Sequence, residues 1–300
     1  MISVIVPTHN RPLLLKRAIQ SVLNQDLLPL EIIIVDDVGD EKSKQVVDSF
    51  GLSSLRYVHN VEGQGASSSR NLGAEMAEGD FVAFLDDDDE WAPTKLLKQT
   101  ELINKNQLDA CFSQIKIQYE NTDISYVTKA SKGKYYVKDI LMENFIGATI
   151  SSVIRKRAFI DVGGFDVNYE AREEYDLWIK LIINNYSFDV VEEPLAISYR
   201  SLEKRQRISA NINNYISAIH RLNDKHKSII DVQLNETQKT RRVRMQYEFL
   251  AAQAASIGLR GEAIKYYAKS LSVTPSFKSG IGLFFSVISP TLLIKIRAKL

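Results

Sequence analysis

The sequence predicts an α/β protein: a doubly wound, mostly parallel sheet with helices on both faces, followed by an all-helical extension. Three observations carry this. ISVIVPT (2–8), EIIIVDD (31–37) and FVAFL (81–85) are strand-length and almost wholly apolar, and helix-patterned segments separate them. Parallel strands covered on both faces read this way, whereas half-exposed strands alternate. Two of these runs end in carboxylates, Asp36-Asp37 and Asp86 to Asp89, at the strand ends where such sheets bind ligands. Beyond about residue 203, glycine and β-branched residues give way to polar helix formers. The boundary is placed at 203–210, dividing the chain into 1–205 and 206–300.

The elements follow in order. ISVIVPT is a buried strand ending near Pro7. PLLLKRAIQSVLNQ (12–25) spaces Leu15, Ala18, Ile19 and Val22 helically, with Pro12 at its start and Asn10 as N-cap. Residues 31–37 form a second strand, 40–50 a short helix and LRYVHN (55–60) a third strand. GQGASSSRNLGAEMAEG (63–79) is a Gly/Ser loop entering a helix that stops at Gly79, and FVAFLDDDD (81–89) is the fourth strand. A helix and a strand are expected over 95–120, a less regular tract over 121–150, and a helix from about Arg155. VGGFD (162–166) turns, and EEYDLWIKLIINN (173–185) is helical. Residues 249–275 predict a helical hairpin turning at Gly258 to Gly261; one tetratricopeptide-like pair is the alternative, but such repeats are stable as stacked arrays.

Composition narrows the class. The 300 residues are 45% hydrophobic and 25% charged, with a net charge of +1. That fits an ordinary globular chain and gives no global field favouring nucleic acid. Cys111 is the only cysteine, so an internal disulfide and a cysteine-based zinc site are excluded. No secretory leader and no uninterrupted membrane span are read, which makes a cytoplasmic location the expectation. Residues 280–300 combine Phe284, Phe285, Ile288, Leu292, Leu293 and Ile296 with Lys295, Arg297 and Lys299, interrupted by Pro290. They can lie peripherally on the inner face of the cell membrane or dock as a terminal helix.

The acidic run carries the chemistry. Mn²⁺ or Mg²⁺ is commonly shared between one or two carboxylates and a substrate's phosphates. Asp86 and Asp88 supply such a pair. An EF-hand is excluded, because the required glycine and glutamate positions hold Trp91 and Leu97. Asp36-Asp37 and the 7–10 loop suggest a nucleotide pocket, with Asp37 accepting from a base N–H. Gly63-x-Gly65-x-x-Ser68 lacks the third glycine of a dinucleotide fingerprint, yet a Gly/Ser loop opening a helix suits an anionic ligand. Arg70 is either a phosphate or base contact or a solvated helix residue.

SVIVPTHNR, EIIIVDD, GASSSRNLGAEMAEGDFVAFLDDDDEW, VGGFD and EEYDLW, in this order, resemble the family 2 glycosyltransferases of the GT-A fold over roughly residues 1–200. The resemblance implies that the D-x-D falls on Asp86 and Asp88, with Asp88 the direct metal ligand and Asp87 a ribose or sugar contact. It places Asp37 at the base and Pro7, Thr8 and Asn10 in the first nucleotide loop. It puts the catalytic base in Glu173-Glu174, at Glu174 where the family has an aspartate; Asp176 is the remaining candidate or a carboxylate at the helix dipole. The implied reaction moves a monosaccharide from a nucleoside-diphosphate sugar, by family habit a UDP-sugar, to a glycan or lipid-linked acceptor of a bacterial surface polysaccharide. One base opposite the leaving group implies inversion. The alternatives are a sugar nucleotidyltransferase, for which THNRPL lacks the glycine of a triphosphate loop, and a non-catalytic binding module.

Overall fold

The computed structural model describes residues 1–63, 65–128, 130, 133, 135–201 and 211–288. Its strands are β1 (Ile2–Thr8), β2 (Glu31–Asp36), β3 (Leu55–His59), β4 (Phe81–Phe84), β5 (Glu90–Trp91), β6 (Ala110–Tyr119), β7 (Ser125–Val127), β8 (Val153–Arg155) and β9 (Phe188–Arg200). The helices are α1 (Pro12–Leu23), α2 (Glu41–Asp48), α3 (Gly65–Met76), α4 (Lys95–Asn106), α5 (Val137–Met142), α6 (Lys156–Asp161) and α7 (Glu173–Ile183). Five more follow: α8 (Ile212–Lys225), α9 (Lys227–Gln233), α10 (Glu236–Ser256), α11 (Arg260–Val273) and α12 (Phe277–Ile288).

One sheet runs β3-β2-β1-β4-β8-β6-β9-β5, with β7 paired to β6. Its first half is parallel, as the apolar runs predict. From β8 onward it is mixed: β8 is antiparallel to β4 and β6, and β5 to β9, while β6 and β9 pair in parallel. Side chains on the central strands alternate between two cores. Ile5, Ile33 and Val35 join Phe84, Phe112 and Trp178 on one face, while Val4, Val6, Ile32 and Ile34 join Leu15, Ile19 and Leu96 on the other. Both faces are therefore dry, which is why the strands read as unbroken apolar runs. The α3 helix approaches β1 closely through Gly73, where a Cβ would lie 2.5 Å from Ile5.

Two local expectations are corrected. The fourth strand ends at Phe84, and Asp86 to Asp89 form a turn closed by Asp89 N–H donating to Asp86 O at 3.1 Å. Extended pairing would send alternate aspartates into an apolar face, and the turn avoids that. Asn10 does not cap α1. It takes a left-handed φ of 53°, and Arg11 occupies the N-cap without a side-chain bond.

The helices beyond residue 211 divide into two groups. Ala218, Leu222, Ile230 and Leu234 of α8, α9 and the turn after it join the same core as Trp178 and Leu177. The α10–α12 layer has its own core around Ala251, Ala254, Ala263 and Tyr267. The expected hairpin is present as α10 and α11, turning at Gly258. The expected boundary at 203–210 and the tail from 289 onward lie outside the described residues.

Candidate active site

Strand register brings the two acidic ends together. Thr8 pairs with Asp36 across β1 and β2, and Ile5 pairs with Phe84 across β1 and β4. Asp87 thereby meets the end of β1: Thr8 Oγ1 donates to its Oδ2 at 2.8 Å, and His9 N–H donates to the same oxygen at 3.4 Å. The His9 ring then reaches the second acidic end, with Nδ1 3.5 Å from Asp37 Oδ2. One residue thus spans from Asp37 to Asp87. Pro7 is buried in β1, and Asn10 is exposed beyond it.

The members of each acidic group do different work. Asp36 is fully buried and shapes the loop: it accepts from the backbone N–H of Val38, Gly39 and Asp40 and from the Tyr57 hydroxyl. Asp37 accepts from Gly65 N–H at 3.1 Å, which ties the Gly/Ser loop to the strand end. In the second group, burial pushes the Asp87 carboxyl up to about 6 against the pull of Arg11, and it pushes Asp89 well above the usual carboxylate range. Asp86 and Asp88 keep 33% and 24% of their side chains exposed. Arginines surround them. Arg11 Nη1 lies 3.2 Å from both Asp87 and Asp88, and Arg17 donates to the Asp88 carbonyl and pairs with Glu90 at 3.0 Å.

Arg70 joins this turn to a distant helix. Its side chain is 5% exposed; Nη2 donates to Asp86 at 2.6 Å and Nη1 to Glu173 at 2.9 Å. It is therefore not a solvated helix residue, and its Nε has no partner among the described residues. Glu174 follows at the start of α7. Asn144 Nδ2 donates to its Oε1 at 3.1 Å, and burial, aided by the charge of Glu173, pushes its carboxyl up to about 7. A carboxyl poised near neutrality is a competent proton acceptor.

Asp176 lies apart from this group. It is fully buried and meets Lys225 Nζ at 2.9 Å, His226 Nε2 at 2.8 Å and Lys180 Nζ at 3.4 Å. Those partners hold its carboxyl below the usual range despite burial. Both tryptophans are structural. Trp91 and Trp178 are buried, and their indoles donate to Ile150 O and Gly147 O.

Sequence reasoning missed Arg11, Asn144 and the Lys225–His226 pair. Arg11 stood beside the loop already singled out, in THNR, and its charge next to an acidic run was the available signal. Asn144 sits in the irregular tract with no pattern to mark it.

A divalent ion suits the exposed pair. Among the described residues no cluster of three metal-binding side chains occurs. Two accessible hard-oxygen ligands with the rest left to substrate is how Mg²⁺ and Mn²⁺ are often held with phosphates. Asp86 and Asp88 fit that pattern in chemistry and exposure.

The chain is similar to known glycosyltransferases. An uncharacterized glycosyltransferase of Haemophilus influenzae is 29% identical over 99% of both chains. The Campylobacter jejuni GalNAc(5)-diNAcBac-PP-undecaprenol beta-1,3-glucosyltransferase is 33% identical, over 60% of this chain and 59% of its own. Among solved structures, S. aureus TarS 1–349 in complex with UDP-GlcNAc superposes with a TM-score of 0.60 at 14% identity, covering 95% of this chain and 90% of that one. Mannosyltransferase PcManGT from Pyrobaculum calidifontis, in complex with GDP-Man and Mn²⁺, gives 0.58 at 14% identity, covering 99% and 83%. These likenesses extend to the GT-A type sheet and to the helical stretch after it. Residues 3–164 match the Glycosyl transferase family 2 description, and the chain belongs to that family of glycosyltransferases.

Proposed function

We propose that this protein transfers a monosaccharide, with inversion, from a UDP-sugar to a hydroxyl of a glycan or lipid-linked acceptor during bacterial surface polysaccharide synthesis. The observation that carries the reading is Arg70, whose one buried guanidinium joins Asp86 of the acidic turn to Glu173 of the carboxylate pair. It supports a single centre in which a diphosphate leaves and a hydroxyl attacks. The undecaprenol-linked acceptor in the name of the Campylobacter jejuni relative favours the lipid-linked class and a position at the inner face of the membrane. Residues 1–205 are read as the transferase domain and 206–300 as its helical extension.

The geometry supports one assignment of roles. Asp37, with Pro7, Thr8 and Asn10, forms the floor for base and ribose, and His9 spans the two strand ends above it. Asp87, braced by Thr8 and Arg11, contacts the ribose or sugar. Asp86 and Asp88 would hold Mn²⁺ or Mg²⁺, which when bound would supply positive charge to the leaving diphosphate. Glu174 takes the acceptor proton. Asn144 fixes one of its oxygens, and the neighbouring charge of Glu173 raises its proton affinity. Arg70 holds Glu173 in position through its contact at 2.9 Å.

Titration calorimetry of UDP-sugars with and without Mn²⁺ tests the donor site. Asp88→Ala is expected to abolish the Mn²⁺-dependent part of the binding. Unchanged binding in that variant would remove Asp88 from the metal site.

A further inference from the structure

The α12 helix is built inside out. Its buried face is Ser279, Gly282 and Ser286. Phe277, Phe284, Val287 and Ile288 are 86%, 59%, 48% and 53% exposed. Phe277, Ile281, Phe284 and Ile288 recur at the helical spacing that a soluble helix turns toward its core. Here the core takes the small face, with Leu283 and Phe285 partly buried beside it. A Cβ at Gly282 would lie 2.3 Å from the Tyr267 ring, so no larger residue fits that contact. Ser279 Oγ donates to the buried carboxylate of Glu248 at 2.7 Å and lies 2.7 Å from Ser270 Oγ. Ser276 and Arg244 donate to the same carboxylate. Rolling the helix to hide its phenylalanines would strip Glu248 of these donors and drive large side chains against Tyr267. The orientation is therefore fixed, and the apolar stripe faces outward.

Charge identifies what covers it. The chain as a whole is near neutral, at +1. Residues 263–300 carry Lys265, Lys269, Lys278, Lys295, Arg297 and Lys299 and no acidic residue. Lys278, 72% exposed, lies on α12 itself. A second copy of this face would bring like charges together, whereas an exposed apolar stripe in a segment this basic matches lipid tails under anionic headgroups. We propose that α12 docks on an anionic phospholipid bilayer, with Phe277, Phe284 and Ile288 in the interfacial layer and Lys278 at the phosphates. Among the described residues no helix is long and apolar enough to cross a membrane, so the contact is peripheral. The proposal deepens the reading above by giving the lipid-linked class of acceptor a surface, but its test measures binding alone and does not depend on sugar transfer.

The full chain is sedimented with vesicles of phosphatidylcholine, with or without phosphatidylglycerol. Binding is expected to be about tenfold or more stronger to the anionic vesicles and to weaken as salt is raised. Phe284→Ser with Ile288→Ser should reduce it by a similar factor while leaving the melting temperature unchanged, because both side chains are exposed. Phe284→Trp supplies a readout that survives any folding defect in the double variant. Its emission should shift to the blue on anionic vesicles and be quenched by brominated lipid. Equal binding to both vesicle types, an unaffected double variant, or an unshifted tryptophan would overturn the proposal. So would a dimer in sedimentation velocity that the double variant dissolves, since a second copy would then cover the face.

Discussion

The first turn of α7 holds two sets of carboxylates under opposite electrostatic regimes. Arg70 pairs with Glu173 and with Asp86, and Glu174 is left with a carboxyl raised to about 7 by burial and by Glu173, against the pull of Arg172. Asp176, two residues on, has Lys225, Lys180 and His226 around it and is held below its usual range. Both sites are buried, so burial does not distinguish them. The direct partners do. Asp176 meets two lysines and an imidazole on the side that fastens α7 to α8 and α9, whereas the Glu174 carboxyl is held by the Asn144 amide. The same helix turn thus carries both the proposed base and a clamp, through which α8 and α9 hold the start of α7.

The comparison can be broken first at its reactive side. Glu174→Gln removes the proton acceptor while keeping size and the Asn144 contact; transfer should fall by ~10²–10⁴-fold with donor affinity unchanged. Steady-state turnover and donor calorimetry on the same variant check both halves. On the clamp side, Asp176→Ala leaves Lys225 and His226 without their buried partner. It should destabilise the fold by about 3 kcal/mol, at the low end of the range for a broken buried pair because Lys225 keeps Asp166 at 2.8 Å. Urea denaturation measures it, and a change near zero would demote the clamp to an ordinary surface contact.

The smallest effect sharpens the contrast. The proposed base works deprotonated, so a raised pKa means that activity is lost as pH falls through about 7 and is retained above it. Glu173→Gln removes the like charge that helps raise Glu174, so the acidic limb of the pH profile should move to lower pH. A limb that stays in place would assign the rise to burial alone.

Much of the site was legible in the chain. The unbroken apolar runs gave the parallel half of the sheet, because covering both faces demands apolar residues at every position. Asp86 to Asp89 followed one of those runs, where only a strand end could put them. Three things escaped. The antiparallel β8 and the short β5 pair through residues far apart in the chain, and three- and two-residue strands carry no period of their own. Asn144 reaches Glu174 across 30 residues, and Lys225 reaches Asp176 across 49. The outward face of α12 was also unreadable. Its apolar spacing names a stripe, but the direction of that stripe was set by Gly282 against Tyr267 and by the serines at Glu248.

The sequence by itself determined the element order along the parallel half, the strand-end position of the acids and the family, since local periodicity and motif spacing belong to the covalent chain. The tertiary structure alone decided which acid meets which base. Arg70 with Asp86 and Glu173, Asp176 with Lys225 and His226, and Glu174 with Asn144 are pairs between distant segments. The pKa directions of Glu174 and Asp176 depend on burial and on charges that folding brings close, and no local pattern encodes either.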